Sequence, residues 1–194
     1  MKLWWNRIRR RGSELGRSKS GLPASEERLR RLAEKIDRLA DKDEELLSRE
    51  RETVAMRRLA AAELHSMCAS FVGELNRMLQ RTEVRLDPDE FDIDRFQPEM
   101  STLIQIHVRG RILQIAYTAT PDLVSTEEFR IPYILEGSVR AFNQALLEKD
   151  LIEEQLLFYT LETRGNMWRY FDTRTYRSGP FDREFLATVM EEVM

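Results

Sequence analysis

The side chains able to do chemistry are few. The chain has two histidines and one cysteine, His65, His107 and Cys68. His65 and Cys68 stand three residues apart, so on a helix they share one face and could offer two metal ligands. A zinc site takes three or four, and only His107 remains among the histidines. Cys68 also falls on an apolar stripe, where a free thiol behaves as a small hydrophobe. In the strand pattern STLIQIHV (101–108), Ile104, Ile106 and Val108 occupy one face, and Leu103, Gln105 and His107 the other. No spacing singles out a serine to pair with His107 as a nucleophile. GSELGRS (12–18) approaches a phosphate loop, but its glycines are one residue too close, arginine replaces the lysine, and no strand precedes it. LDPDEFDID (86–94) carries five carboxylates, yet Phe91 and Asp92 stand where a calcium loop needs an oxygen ligand and a glycine. The expectation is therefore no catalytic residue, no metal and no cofactor, with an enzyme disfavoured.

Two stretches are better suited to binding. In NMWRYFDTRTYR (166–177), strand alternation places Trp168, Tyr170, Asp172, Arg174 and Tyr176 on one face. Aromatics interleaved with arginine can stack bases or hold an acidic ligand. With Tyr117 of the preceding hairpin, Trp168, Tyr170 and Arg174 form the candidate ligand face. Packing against cross-strand Leu157 and Tyr159 is the simpler use of the same aromatics. The second stretch is MKLWWNRIRRRG (1–12). On a helix Trp4, Trp5 and Ile8 cluster, with Arg7, Arg9, Arg10 and Arg11 around them. Tryptophan prefers the headgroup region and arginine is drawn to anionic lipid, so these seven residues are the candidate contact with a membrane surface or a partner.

The elements that must position these residues follow from periodicity. GSELGRSKSGLP (12–23) has linker chemistry. A helix is expected from Ser25, which can cap it, to about Arg81, with Glu26 and Glu27 in the first turn. Leu29, Leu32, Ile36 and Leu39 repeat at three, four and three, the seam of a coiled coil. Asp43 and Glu50 then fall in the seam. An eleven-residue step from Ile36 to Leu47 restores an apolar stripe through Val54, Ala61, Leu64, Cys68, Phe71, Leu75 and Met78, which reads as a stutter or a hinge over 41–53. A single helix cannot bury such a seam, so a homodimer is expected. From Glu83 the period changes to two. Hairpins are expected around Arg109-Gly110 and Gly165-Asn166, an edge strand over 129–135, a short helix over 137–150, and a last helix opening at Ser178-Gly179-Pro180.

The fold class is thus α+β, a long N-terminal helix followed by an antiparallel sheet covered on one face by helices, a two-layer sandwich. The expected divisions are 1–23 (basic tail and linker), 24–60 (coiled-coil stalk) and 61–194 (globular domain). Residues 1–22 hold seven Lys/Arg against Glu14 alone, while the remaining residues carry 24 basic and 33 acidic side chains. That asymmetry disfavours a nucleic-acid surface on the body and confines attraction for phosphates to the tail. A lone cysteine and the lack of an apolar span point to the cytoplasm, with membrane association through the tail. The function expected is a non-enzymatic adaptor that self-associates by its coiled coil through Leu29, Leu32, Ile36 and Leu39. The alternatives are a protein chaperone or secretion accessory holding a client on the sheet, and a small-ligand binder or enzyme using the sheet concavity.

Overall fold

The structure is a computed structural model that describes residues 24–127, 129–142 and 153–194. Helix α1 spans Ala24–Met78 without a break. Seven strands follow, β1 (Arg85–Asp87), β2 (Thr102–Val108), β3 (Arg111–Val124), β4 (Tyr133–Phe142), β5 (Glu153–Thr160), β6 (Met167–Asp172) and β7 (Arg177–Pro180), and helix α2 (Arg183–Val193) comes last. A single 3-10 turn, Ile93–Arg95, lies between β1 and β2. The strands pair in chain order, every pair antiparallel, as one meander. The α+β class with helices on one side of the sheet is what the alternating and 3.6-residue patterns predict.

The chain divides into two units at Leu47/Ser48. In the second, the helix-covered sheet face is built from Ile104, Ile106, Leu113, Ile115, Tyr117, Val139, Leu157 and Trp168, all at most 2% exposed. Ala60, Ala61, Leu64, Cys68, Phe71 and Val72 of α1, with Phe185, Leu186, Val189 and Met190 of α2, complete this core. From Ala61 the α1 positions step by three or four through Leu64, Cys68 and Phe71, with Ala60 and Val72 alongside, so one stripe of the helix lies on the sheet. Arg183 of α2 pairs with Glu74 of α1 at 2.9 Å. Asp182 caps α2, accepting from the Phe185 amide at 2.9 Å.

Residues 41–53 are helical, so of the stutter and the hinge the stutter remains. Four expectations are corrected. Helix α1 is already formed at Ala24, which places Ser25 inside it rather than at its cap. Residues 137–142 belong to strand β4 and not to a helix. Val139 and Ala141 face the core while Arg140 is half-buried opposite, a period of two that the spacing Val139–Phe142 disguised. The remainder of that expected helix, 143–150, lies outside the described residues. Pro132 does not make an edge strand: it precedes β4, which starts at Tyr133 and pairs with β3 and β5. Lastly, Ser178-Gly179-Pro180 forms edge strand β7, where a missing amide hydrogen is tolerated. The helix starts three residues beyond Pro180.

Gly137 is demanded by the β3–β4 pairing. A Cβ there would stand 2.0 Å from the Ala116 carbonyl oxygen and 2.7 Å from Tyr117 Cα. Arg109 and Gly110 both adopt positive φ, 48° and 79°, giving the two-residue hairpin the backbone twist that its strands need.

Candidate functional site

Tyr117, Trp168 and Tyr170 lie together on the helix-covered face rather than on an open one. Trp168 is 1% exposed, and its indole N–H donates to the Ala60 carbonyl of α1 at 2.8 Å. Its ring meets Tyr117 edge-on at 5.3 Å and Tyr159 at 5.4 Å. Tyr170 stacks on Phe185 of α2 at 4.3 Å. The row continues from Tyr117 through Phe96 and Phe91 to His65, whose Nε2 lies 2.8 Å from the Pro88 carbonyl oxygen. Burial pushes the Tyr117 phenol well up, with Thr102 only partly offsetting it. The same cause raises the Cys68 thiol to about 12. Neither group is set up to react at neutral pH. Arg174 stands apart in the turn after β6, beside Asp172 at 3.6 Å, because the strand ends at Asp172 and alternation stops there. These aromatics join the two layers, the packing role that cross-strand pairing foretells.

The opposite face of the sheet carries a second aromatic cluster. Phe129, Tyr133, Phe158 and Phe171 are buried together, with Phe129 stacked on Phe158 at 4.5 Å. Phe129 comes from the segment between β3 and β4, and Thr126 fixes that segment by accepting the Phe129 amide at 3.0 Å. Beside the cluster is a cavity of about 480 Å³, lined among others by Phe129, Phe158, Phe171, Ser138, Glu136 and Glu154. Glu154 is held by Arg140 at 2.8 Å. Burial pushes the Glu154 carboxyl up, but hydrogen bonds from Arg140 and Ser138 outweigh it and keep it below the usual range. Burial and the neighbouring Glu136 raise the Tyr133 phenol. The signal for this cluster is present in LLFYTLE: Leu156 and Phe158 alternate with Leu157 and Tyr159, so both sheet faces are apolar and both require cover.

The seam residues are placed otherwise. Leu29, Leu32, Ile36 and Leu39 are 65%, 53%, 56% and 51% exposed, and Leu46 and Leu47 are 62% and 52% exposed. They fall in the first unit of the chain, on a helix whose outer positions carry the ion pairs Arg31–Glu27 (3.0 Å), Arg30–Glu34 (3.5 Å) and Arg38–Glu34 (3.9 Å). The second part of the apolar stripe, Ala61, Leu64, Cys68 and Phe71, is consumed by the chain's own sheet, whereas Met78 at its end is 71% exposed. Trp4, Trp5, Arg7, Ile8, Arg9, Arg10 and Arg11 lie outside the described residues.

Among the described residues no helix is long and apolar enough to cross a membrane, and no group of three or more His, Cys, Asp or Glu side chains could hold a metal ion. No protein-family model, no curated protein and no solved structure matches the chain.

Proposed function

We propose that this protein is a non-enzymatic interaction protein that self-associates through the N-terminal half of α1, with Leu29, Leu32, Ile36 and Leu39 as the seam. One observation carries the reading: four large aliphatic side chains at coiled-coil spacing, each more than half exposed, on an uninterrupted helix. Scattered surface leucines are ordinary, but a periodic row on one helix face is an association surface. The rest of the helix supports this use, since its later turns are already buried against the sheet while the earlier ones are not. Light scattering on the full chain across a concentration series tests it. A mass approaching twice the 23.0 kDa of one chain is expected, reverting to one chain when Leu32 and Leu39 are both changed to Glu. A wild-type chain that stays monomeric at hundreds of micromolar overturns the reading.

The aromatic cavity favours a second reading, capture of a small ligand on the sheet face opposite α1 and α2. Its volume is in the range of small-molecule pockets, and its walls are apolar with a few convergent polar groups. Among the described residues its lining carries aromatic rings and two carboxylates, of which Glu154 is already paired with Arg140, so the rings with Glu136 suit an aromatic or alkyl cation. Titration with a cationic aromatic dye, compared with an anionic one of similar size, tests this. Binding of the cation that is lost in Phe129→Ala supports it, and equal binding of both dyes counts against it. Peripheral attachment to anionic membranes through residues 1–11 is a further proposal, resting on the Trp-Trp-basic composition.

A further inference from the structure

We infer that the seam of α1 closes on a second copy of this chain in parallel and in register. This rests on the self-association reading and adds its geometry.

With Leu29 and Ile36 at position a, Leu32 and Leu39 fall at d, and carrying the same frame up to the phase break puts Leu46 at d and Asp43 and Glu50 at a of the unbroken helix. The flanking columns then separate by chemistry. Position g is Arg28, Lys35, Lys42 and Arg49, four bases spaced seven apart. Position e on the other flank is Ala33, Ala40, Leu47 and Val54. The three ion pairs named above occupy b, c and f, on the side away from the seam.

The flanking positions of a coiled coil set the orientation of its partner. In an antiparallel pair, g faces g, and this column would set bases against bases along the whole contact. In a parallel pair, g faces e of the other helix. The aliphatic stems of Lys35 and Lys42 then lie over Ala40 and Leu47 of the second copy, with their ammonium groups reaching water.

The acids in the seam bear on register. In a parallel, in-register pair, a faces a, so Asp43 faces the second copy's Asp43 and Glu50 its Glu50, a like-charge cost. The g side chain of one helix flanks the following a position of the other, so Lys42 lies beside the second copy's Asp43 on both sides of the axis and offsets part of that cost. A shift by one heptad would leave the apolar layers at the ends of the seam without partners, so the in-register pairing buries the most of Leu29, Leu32, Ile36, Leu39 and Leu46. Beyond Val54 the stripe belongs to the sheet, because Ala60, Ala61 and Leu64 are fully buried in their own unit. The seam therefore runs from Leu29 to about Glu50 and ends where the helix turns its apolar face to its own domain.

The test is disulfide trapping in the full chain. Leu29→Cys and Leu46→Cys are made separately, oxidised with diamide, and run on non-reducing gels. Wild type, whose single Cys68 is buried, serves as the blank. A parallel, in-register pair places each new cysteine beside its own copy, so both variants should give mostly covalent dimer that dithiothreitol reverses. Residues 29 and 46 are about 26 Å apart along a helix. An antiparallel pair can therefore bring at most one of the two positions onto itself. Mixing the two variants with tags of different mass should give no crosslink between 29 and 46, whereas an antiparallel pair centred on the seam would give one. If the chain is dimeric by light scattering but only one variant, or neither, crosslinks to itself, the parallel in-register assignment is wrong. A chain monomeric by light scattering removes the self-association reading itself.

Discussion

Trp168 is the contact on which the two layers of the Ser48–Met194 unit should depend most, and Trp168→Phe measures that. The indole is 1% exposed, spans the gap between β6 and α1, and donates to the Ala60 carbonyl at 2.8 Å. Phenylalanine keeps most of the ring volume and the edge-on contacts with Tyr117 and Tyr159. It loses the hydrogen bond, worth about 1 kcal/mol net, and the part of the bicycle nearest α1, worth about 1–2 kcal/mol in lost burial and residual cavity. The expected loss is about 2–3 kcal/mol, a large share of the roughly 5–15 kcal/mol that stabilises a typical domain. Urea unfolding followed by far-UV circular dichroism reads it directly, with Trp168→Ala as the larger perturbation at about 3–5 kcal/mol. Unchanged slope with a lower midpoint is the expected pattern. A loss below about 0.5 kcal/mol would refute the argument, since it would mean that α1 does not rest on the sheet through this ring.

Further outcomes are expected from the same contacts. Changing both Leu32 and Leu39 to Glu should weaken association by about a thousandfold: each half-exposed Leu has roughly 1 kcal/mol of burial still to gain, and four such side chains are lost per dimer. Sedimentation velocity over a concentration series checks it, and an unchanged dissociation constant would remove these residues from the seam. Gly137→Ala should be among the most damaging single changes, about 3 kcal/mol or more, because its Cβ meets backbone at 2.0 Å; a soluble variant with wild-type melting would contradict the β3–β4 register. The Glu162 carboxyl is held below the usual range by hydrogen bonds from Arg169, at 2.5 and 3.3 Å, and from Thr160. A lowered carboxyl stabilises the fold above its unfolded value and loses that contribution as pH falls through the folded one. Stability should thus drop below about pH 4.5, and Arg169→Gln should flatten that drop by about 0.5–1 kcal/mol in urea midpoints compared at pH 7 and pH 3. Co-sedimentation with liposomes should pellet the full chain only with anionic lipid, and changing Trp4 and Trp5 to Ala should abolish it.

The parts of the fold legible in the sequence are those where one period holds over a whole element. The α1 stripe, both β-hairpins at Arg109-Gly110 and Gly165-Asn166, and the apolar face of α2 belong to this class. The failures have a common cause, which is that short stretches satisfy two periods at once. Val139, Phe142, Ala145 and Leu146 fit a helix, but 137–142 equally fit a strand, and the β3–β4 pairing through Gly137 decides between them. Pro180 fits both a helix N1 position and an edge strand, and the two residues between it and the helix start at Arg183 settle it. For the candidate ligand face, placement was not legible. Strand alternation assigns Trp168 and Tyr170 to one face but cannot say which face the helices cover.

That ambiguity of faces also explains why the seam and the sheet core look so alike in sequence. Both are apolar residues of one helix at three- and four-residue steps, yet Ala61, Leu64 and Cys68 are fully buried while Leu29, Leu32 and Ile36 are more than half exposed. What separates them is the small residues interspersed in the buried turns and the charge that flanks the exposed ones. The buried turns carry small residues, Ala60, Ala61 and Cys68, that let the helix approach the sheet closely, and Arg57 is spent on the Ile134 carbonyl at 3.3 Å and on the Thr120 carbonyl. The exposed turns carry large aliphatic residues flanked by a column of bases on one side and alanines on the other. A flat sheet has no use for such a column, whereas a second helix of the same sequence does. The break in the stripe at Asp43 and Glu50 thus separates turns whose large aliphatic residues stay exposed from turns that lie on the chain's own sheet, and the proposed second copy would cover only the first.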